Sequence, residues 1–153
     1  QKTIPIVNYN DPVSDEENRK MELAIRRSHG DQVVECVDND ETAAVIANLV
    51  HAKKLVLMTS TEGIYRDPAD PKTLVEQVTA KSMEELEEKV LGLCQLQESC
   101  VGASRVGANG AKAKLEYALK SARQGTMVII GHARHRLSDL VEGRVACTRI
   151  GLE

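Results

Sequence analysis

Apolar residues are spaced along this chain in two different ways. Two runs are apolar almost throughout, residues 53–60 (KKLVLMTS) and 126–133 (TMVIIGHA). Runs of this kind suit strands covered on both faces of a parallel sheet. Shorter runs rich in β-branched residues, at 2–8 (KTIPIVN), 32–37 (QVVECV) and 144–151 (RVACTRIG), predict further strands. Between the strands the period lengthens. Ala43, Ala44, Ile46, Ala47 and Val50 recur at helical spacing after Asp40, and Leu115, Ala118, Leu119 and Ala122 do the same before a Gly125 stop. Residues 82–97 open on a Ser-x-x-Glu capping box, Ser82 to Glu85, and continue as an amphipathic helix. Residues 136–143 predict a short helix, and residues 19–30 fit either a strand or a helix stopped by Gly30. Residues 9–18, the loop 61–73 with Gly63, Pro68 and Pro71, and the glycine-rich connector 101–111 carry turn signals.

Strands that alternate with helices predict an α/β fold, a three-layer αβα sandwich around a mainly parallel sheet. The two apolar runs are expected among its inner strands. At 153 residues without internal repeats, the chain is expected to form one domain.

Composition removes several classes of function. The net charge is −3 with acids and bases interspersed, so no clustered basic face for nucleic acid is expected. Phe and Trp are absent and Tyr occurs three times, which leaves few platforms for stacking bases. No apolar run approaches the roughly 18 residues of a membrane span, and no signal peptide is visible. Cys36, Cys94, Cys100 and Cys147 show no C-x-x-C pairing and read as reduced thiols of a cytoplasmic protein. His132 and His135 have no neighbouring Cys or acidic cluster in sequence to complete a ligand set, so no metal site is expected there.

Ligands of such sheets sit where loops converge at the carboxyl ends of the strands. Four stretches are expected there: VNYNDP, VDND, MTSTEGIY and GANGAKAK. Asn and Asp side chains suit an amino-acid ligand, because they accept from its ammonium and, through Asn, donate to its carboxylate. Taken alone, Asn8, Asn10 and Asp11 equally fit an Asx-turn, and Asp38 or Asp40 an N-cap. In the fourth stretch, free N–H groups at a helix start together with Lys112 and Lys114 would favour phosphate, although the spacing is not that of a Walker loop. Alone it also fits a flexible connector with two solvated lysines.

The order of the stretches is more specific than any one of them. PIVNYNDPV is similar to Pro-Ile-Ile-Asn-Glu-Asn-Asp-x-Val, and VDNDETAAVIA to Phe-Gly-Asp-Asn-Asp-x-Leu-Ser-Ala-x-Val-Ala. LMTSTEGIYRDPADP is similar to Leu-Thr-Asp-x-x-Gly-Leu-Tyr followed by an Asp-Pro pair, and GANGAKAKLEYA to Gly-Thr-Gly-Gly-Met-x-Thr-Lys-Leu-x-Ala-Ala. VEGRVACTRI matches a closing Glu-Gly-x-x-x-Gly-Thr more loosely. These are motifs of the amino-acid kinase family. The chain resembles that family over nearly its whole length, most closely the branch that phosphorylates the side-chain carboxylate of glutamate in proline biosynthesis.

The resemblance implies transfer of the ATP γ-phosphoryl to that carboxylate, giving an acyl phosphate, with Mg²⁺ held mainly through the nucleotide phosphates. It gives Asp40 the task of organising the catalytic groups and Lys114 that of stabilising the transferred phosphoryl. It places Asn8, Asp11 and Asn39 on the glutamate. Thr59, Ser60, Gly63 and Tyr65, with Ala108, Asn109, Gly110, Lys112 and Lys114, fall on the nucleotide. It further implies that the chain is the carboxyl-terminal portion of the family domain. The amino-terminal strand and glycine-rich loops would be absent, and the chain alone would be inactive, pairing with the missing half or forming a homo-oligomer. Ser60 stands where the family carries Asp, Tyr9 where it carries Glu, and Ala108, Asn109, Ala111 and Ala113 replace Thr, Gly, Met and Thr. Two alternatives stay open: a non-catalytic relative that senses nucleotide or scaffolds an oligomer, and another amino-acid kinase with a different acceptor.

Overall fold

Residues 39–101 and 108–153 are described by the computed structural model. The strands expected at 2–8 and 32–37, the polar segment 9–18 and the ambiguous segment 19–30 lie outside the described residues. Helix α1 spans Asn39–Leu49, strand β1 Lys54–Thr59, β2 Gln77–Ala80, helix α2 Met83–Val101 and α3 Ala108–Ala122. Strand β3 spans Met127–His132, helix α4 Leu137–Glu142 and β4 Cys147–Leu152. The strands lie in the order β1-β3-β4-β2. β1 runs parallel to β3 and β2 parallel to β4, while the central β3–β4 pair is antiparallel. The sheet is thus mixed but mostly parallel, the α/β class expected.

Alternation along the strands divides the core between the two faces. Val128 and Ile130 of β3, Leu57 of β1, Ile150 of β4 and Val78 of β2 point to one face. There they meet Leu86, Val90, Leu93 and Cys94 of α2 and Leu115, Ala118 and Ala122 of α3. The α2 positions follow the 3.6-residue period, which explains why that helix lies flat on the sheet. Each fully buried Leu or Ile here contributes about 1.5–3 kcal/mol. Ile129 faces the other way, against Leu140 of α4 and Cys147 of β4, with Val56, Met127 and Val145 beside them. Helices therefore cover both faces, one with a thick core and one with a thin one. Cys94 and Cys147 are buried and form no disulfide.

Among the described residues β1 has one strand neighbour, β3, and Met58 is 49% exposed. Three details differ from expectation. β2 was not expected at all, because Val78 and Ala80 are its only buried side chains in a polar stretch. α3 begins at Ala108, inside the segment read as a connector. Asp40 lies within the first turn of α1 rather than at its cap.

The α2 start follows the expected capping box with one change. Ser82 Oγ accepts from the Glu85 N–H at 3.2 Å, but Glu85 Oε2 reaches back to the N–H of Lys81, at 3.2 Å. The reciprocal bond of the usual box goes to the cap residue itself.

Candidate active site at the carboxyl ends of β1 and β3

Parallel pairing brings the ends of two strands together. Thr59 is in register with His132, so the loops that follow β1 and β3 leave the sheet side by side. The helices before these strands begin at the same end. α1 leads into β1 and α3 into β3 through short turns, and those turns are tied at the far end of the sheet. Thr126 Oγ1 donates to Ala52 O at 2.7 Å, and the Met127 N–H to Lys53 O at 3.0 Å. His51 (φ 48°) and Gly125 (φ 79°) make the reversals in left-handed conformation. Each helix then runs back along the sheet, and the amino-terminal halves of α1 and α3 meet near the carboxyl ends of β1 and β3.

At that meeting point Lys114 Nζ donates to Asp40 Oδ2 at 2.6 Å. The two residues are 74 positions apart in sequence. Their side chains are 25% and 16% exposed, so the pair is sheltered on most sides yet open to a ligand. Asp40 also sits in the first turn of α1, where the helix dipole favours a carboxylate. Lys114 has no such help in the amino-terminal half of α3, and Asp40 supplies the compensating charge. Removing one partner strands a half-buried charge, a loss on the order of 1–3 kcal/mol between the exposed and buried limits. Asn39 is the first residue of α1, and Ala108, Asn109 and Gly110 form the first turn of α3. The helix-start N–H groups expected to face phosphate therefore belong to residues 108–111, earlier than the sequence pattern indicated. Lys112 is exposed on α3. Asn8 and Asp11 lie outside the described residues.

The second element is the loop after β1. Thr59 Oγ1 accepts from the Thr61 N–H at 3.1 Å and donates to Thr61 O at 2.9 Å, which folds Ser60 into an exposed bend. Gly63 and Ile64 are buried beneath it. Tyr65 is half-buried, forms a bridge to Leu74, and its carbonyl accepts from Gln97 Nε2 of α2 at 2.6 Å. Beyond it the two Asp-Pro steps are turns with side-chain bonds. Asp67 Oδ1 accepts from the Ala69 N–H and Asp70 Oδ1 from the Lys72 N–H, both at 2.9 Å. Thr73 Oγ1 bonds to Asp67 O at 2.9 Å and Asp70 O at 2.7 Å, closing the arm. A segment read as a long loop is thus internally tied.

A third cluster was not expected. Glu62 of this loop accepts from Arg134 and lies 2.6 Å from His135 Nε2, both in the turn after β3. His132 Nδ1 accepts from the Arg134 N–H at 3.0 Å. The His132–His135 spacing was visible in sequence, but their carboxylate partner comes from a distant loop. No group of three metal-ligating side chains forms among the described residues. No helix among them is long and apolar enough to cross a membrane.

The model of the amino acid kinase family matches residues 1–132. Glutamate 5-kinase of Geobacillus kaustophilus is 31% identical over 152 residues, covering 97% of this chain and 34% of that protein. Acetylglutamate kinase of Methanopyrus kandleri is 46% identical over 59 residues, which cover 39% of this chain and 24% of the relative. The chain thus spans about a third of the length of the glutamate 5-kinase it matches. Among solved structures, carbamate kinase from Giardia lamblia bound to AMP-PNP superposes with a TM-score of 0.55 at 18% identity, over 80% of this chain and 36% of that one. That likeness is one of fold.

Proposed function

The chain belongs to the amino acid kinase family, and from that premise we propose that it contributes the nucleotide side and part of the acceptor site of an enzyme that phosphorylates the side-chain carboxylate of glutamate. The observation that carries this reading is the Lys114–Asp40 pair at 2.6 Å, where two helices begin beside the carboxyl ends of β1 and β3. Transfer of a γ-phosphoryl to a carboxylate oxygen spreads charge over three equatorial oxygens and needs little covalent help. What it needs is alignment and fixed positive charge. Lys114 offers an ammonium group, and the first turn of α3 offers N–H groups that have no partner within the helix. Asp40 holds the ammonium in place before substrate arrives. Asn39, with Asn8 and Asp11, is proposed to hold the amino-acid acceptor, and the Thr59–Tyr65 loop with residues 108–114 the nucleotide.

Mg²⁺ carried on the phosphates would neutralise charge on the β- and γ-oxygens. The described residues suit an ion held this way, since the Asp40 carboxylate already serves Lys114.

A second reading rests on Ser60 and the alanine-rich segment 108–113: a relative that binds nucleotide without turnover. The local similarity to an acetylglutamate kinase keeps a different carboxylate acceptor in view. One experiment separates the three. The complete encoded protein, given Mg·ATP and glutamate, should form an acyl phosphate trapped by hydroxylamine as a hydroxamate. Nucleotide binding with no hydroxamate from glutamate or N-acetylglutamate would favour the sensor, and hydroxamate from N-acetylglutamate alone would change the acceptor.

A further inference from the structure

A hydroxyl inside an apolar core is costly unless both its donor and acceptor capacities are used. Thr148 of β4 is fully buried on the thick-core side of the sheet. Its Oγ1 donates to Val75 O at 2.7 Å and accepts from the Ile64 N–H at 2.8 Å. Ile64 and Val75 are the two ends of the tied arm, and they bond each other through Val75 N–H to Ile64 O at 2.8 Å. One side chain therefore clamps the neck of the loop. The adjoining residue shows how close the clamp is. A Cβ on Gly63 would lie 2.3 Å from Thr148 Oγ1 and 2.9 Å from Thr148 N, so only glycine fits. Gln97, itself buried, adds a strut from α2 to Tyr65 O.

We infer that Thr148, seconded by Gln97, is a positioning residue for nucleotide binding: it sets the height of the Thr59–Tyr65 loop above the strand ends without touching the ligand. This rests on the assignment of that loop to the nucleotide in the preceding subsection. Thr148 lies beyond residues 1–132, the part of the chain that the family model matches. The clamp is thus supplied by the closing strand to a loop some 84 positions earlier.

The test uses the complete encoded protein and Mg·ATP as probe. Thr148→Val keeps the shape and removes the hydroxyl, leaving a buried N–H and a buried carbonyl unpaired. Amide exchange at Ile64 should accelerate, and the Kd for Mg·ATP should rise about tenfold, the equivalent of one buried hydrogen-bond partner lost. The KM for the carboxylate acceptor should hold, and Thr148→Ser should restore nucleotide affinity. An unchanged Kd in Thr148→Val, a matching rise in acceptor KM, or no rescue by Ser would overturn the role. Should Thr148→Val fail to fold, Gln97→Met releases the same loop at Tyr65 only, and there a raised Kd supports the role while an unchanged one refutes it. A parent protein that does not bind Mg·ATP refutes the nucleotide assignment itself, whereas a parent that binds beside indifferent variants refutes only the clamp.

Discussion

The helix meeting point and the neck of the loop after β1 lie at the same end of the sheet but are held by different forces. At the first, one ion pair joins Asp40 and Lys114 across two helices, with both side chains partly open to water. At the second, a neutral hydroxyl with no exposure bonds two backbone groups, and a glycine leaves no space between loop and strand. An ammonium proposed to turn from a carboxylate to a phosphoryl group cannot be locked in place, because its partner has to be exchangeable. A loop that sets ligand height can be fixed permanently, and neutral buried bonds do that without the desolvation cost of charge. The comparison therefore fits the proposal that gives chemistry to the charged contact and geometry to the neutral one.

The largest effect should come from the charged side. Lys114→Ala removes the cation proposed to meet the transferred phosphoryl. Turnover measured as hydroxamate should fall by about 10²–10³, as for loss of one preorganised donor, while the thermal transition stays cooperative. A large drop in stability with intact turnover would reverse the division of labour. On the neutral side the expected loss is in stability. Gly63→Ala forces a methyl group into Thr148, whose backbone cannot retreat, and should cost about 1–3 kcal/mol in denaturant unfolding. Stability equal to the parent would mean that the neck is loose.

How legible these features were in the sequence follows from their range. β3 could be read because five neighbouring apolar or small residues leave few other fates for residues 127–131, and α2 because its cap and its period agree. The direction of β4 could not, since a strand's apolar pattern is the same whether it pairs parallel or antiparallel. The start of α3 was hidden because Asn109 and Gly110 are helix-weak and together read as a turn signal. Asp40 and Lys114 were each picked out by motif order, yet their contact spans 74 positions and no spacing announces it. Thr148 stood only as the last residue of the loosely matched closing motif, and nothing local gave it a role. A threonine in a strand is ordinary, and its meaning lies in Gly63 and Val75, far away in sequence.

The smallest effect belongs to a control remote from both contacts. Ser82→Ala at the α2 start removes a cap and should cost about 1 kcal/mol, with Mg·ATP binding unchanged. The same helix start sets a pH response. Glu84 is held below its usual 4.5 by its backbone N–H and the Ser82 hydroxyl, and Glu85 by Lys89 and the Lys81 N–H. Folded values below unfolded ones mean that this contribution is present above pH 4.5 and lost as pH falls through the folded values. Both carboxylates lie at the surface, so the acid-side loss should be slight, and smaller still in Ser82→Ala. Acid titration of the melting temperature in parent and variant checks it.

The central claim is that the Asp40–Lys114 contact serves catalysis more than folding. Asp40→Asn tests it most directly. Asn can still receive a hydrogen bond from Lys114 and suits a helix start, but it no longer balances the ammonium charge. In the complete protein, the hydroxamate rate with Mg·ATP and glutamate should fall at least about tenfold, a barrier change of roughly 1.4 kcal/mol, with the melting temperature nearly unchanged. A rate within about threefold of the parent, under roughly 1 kcal/mol, would contradict the claim and leave the pair a structural tie between two helices.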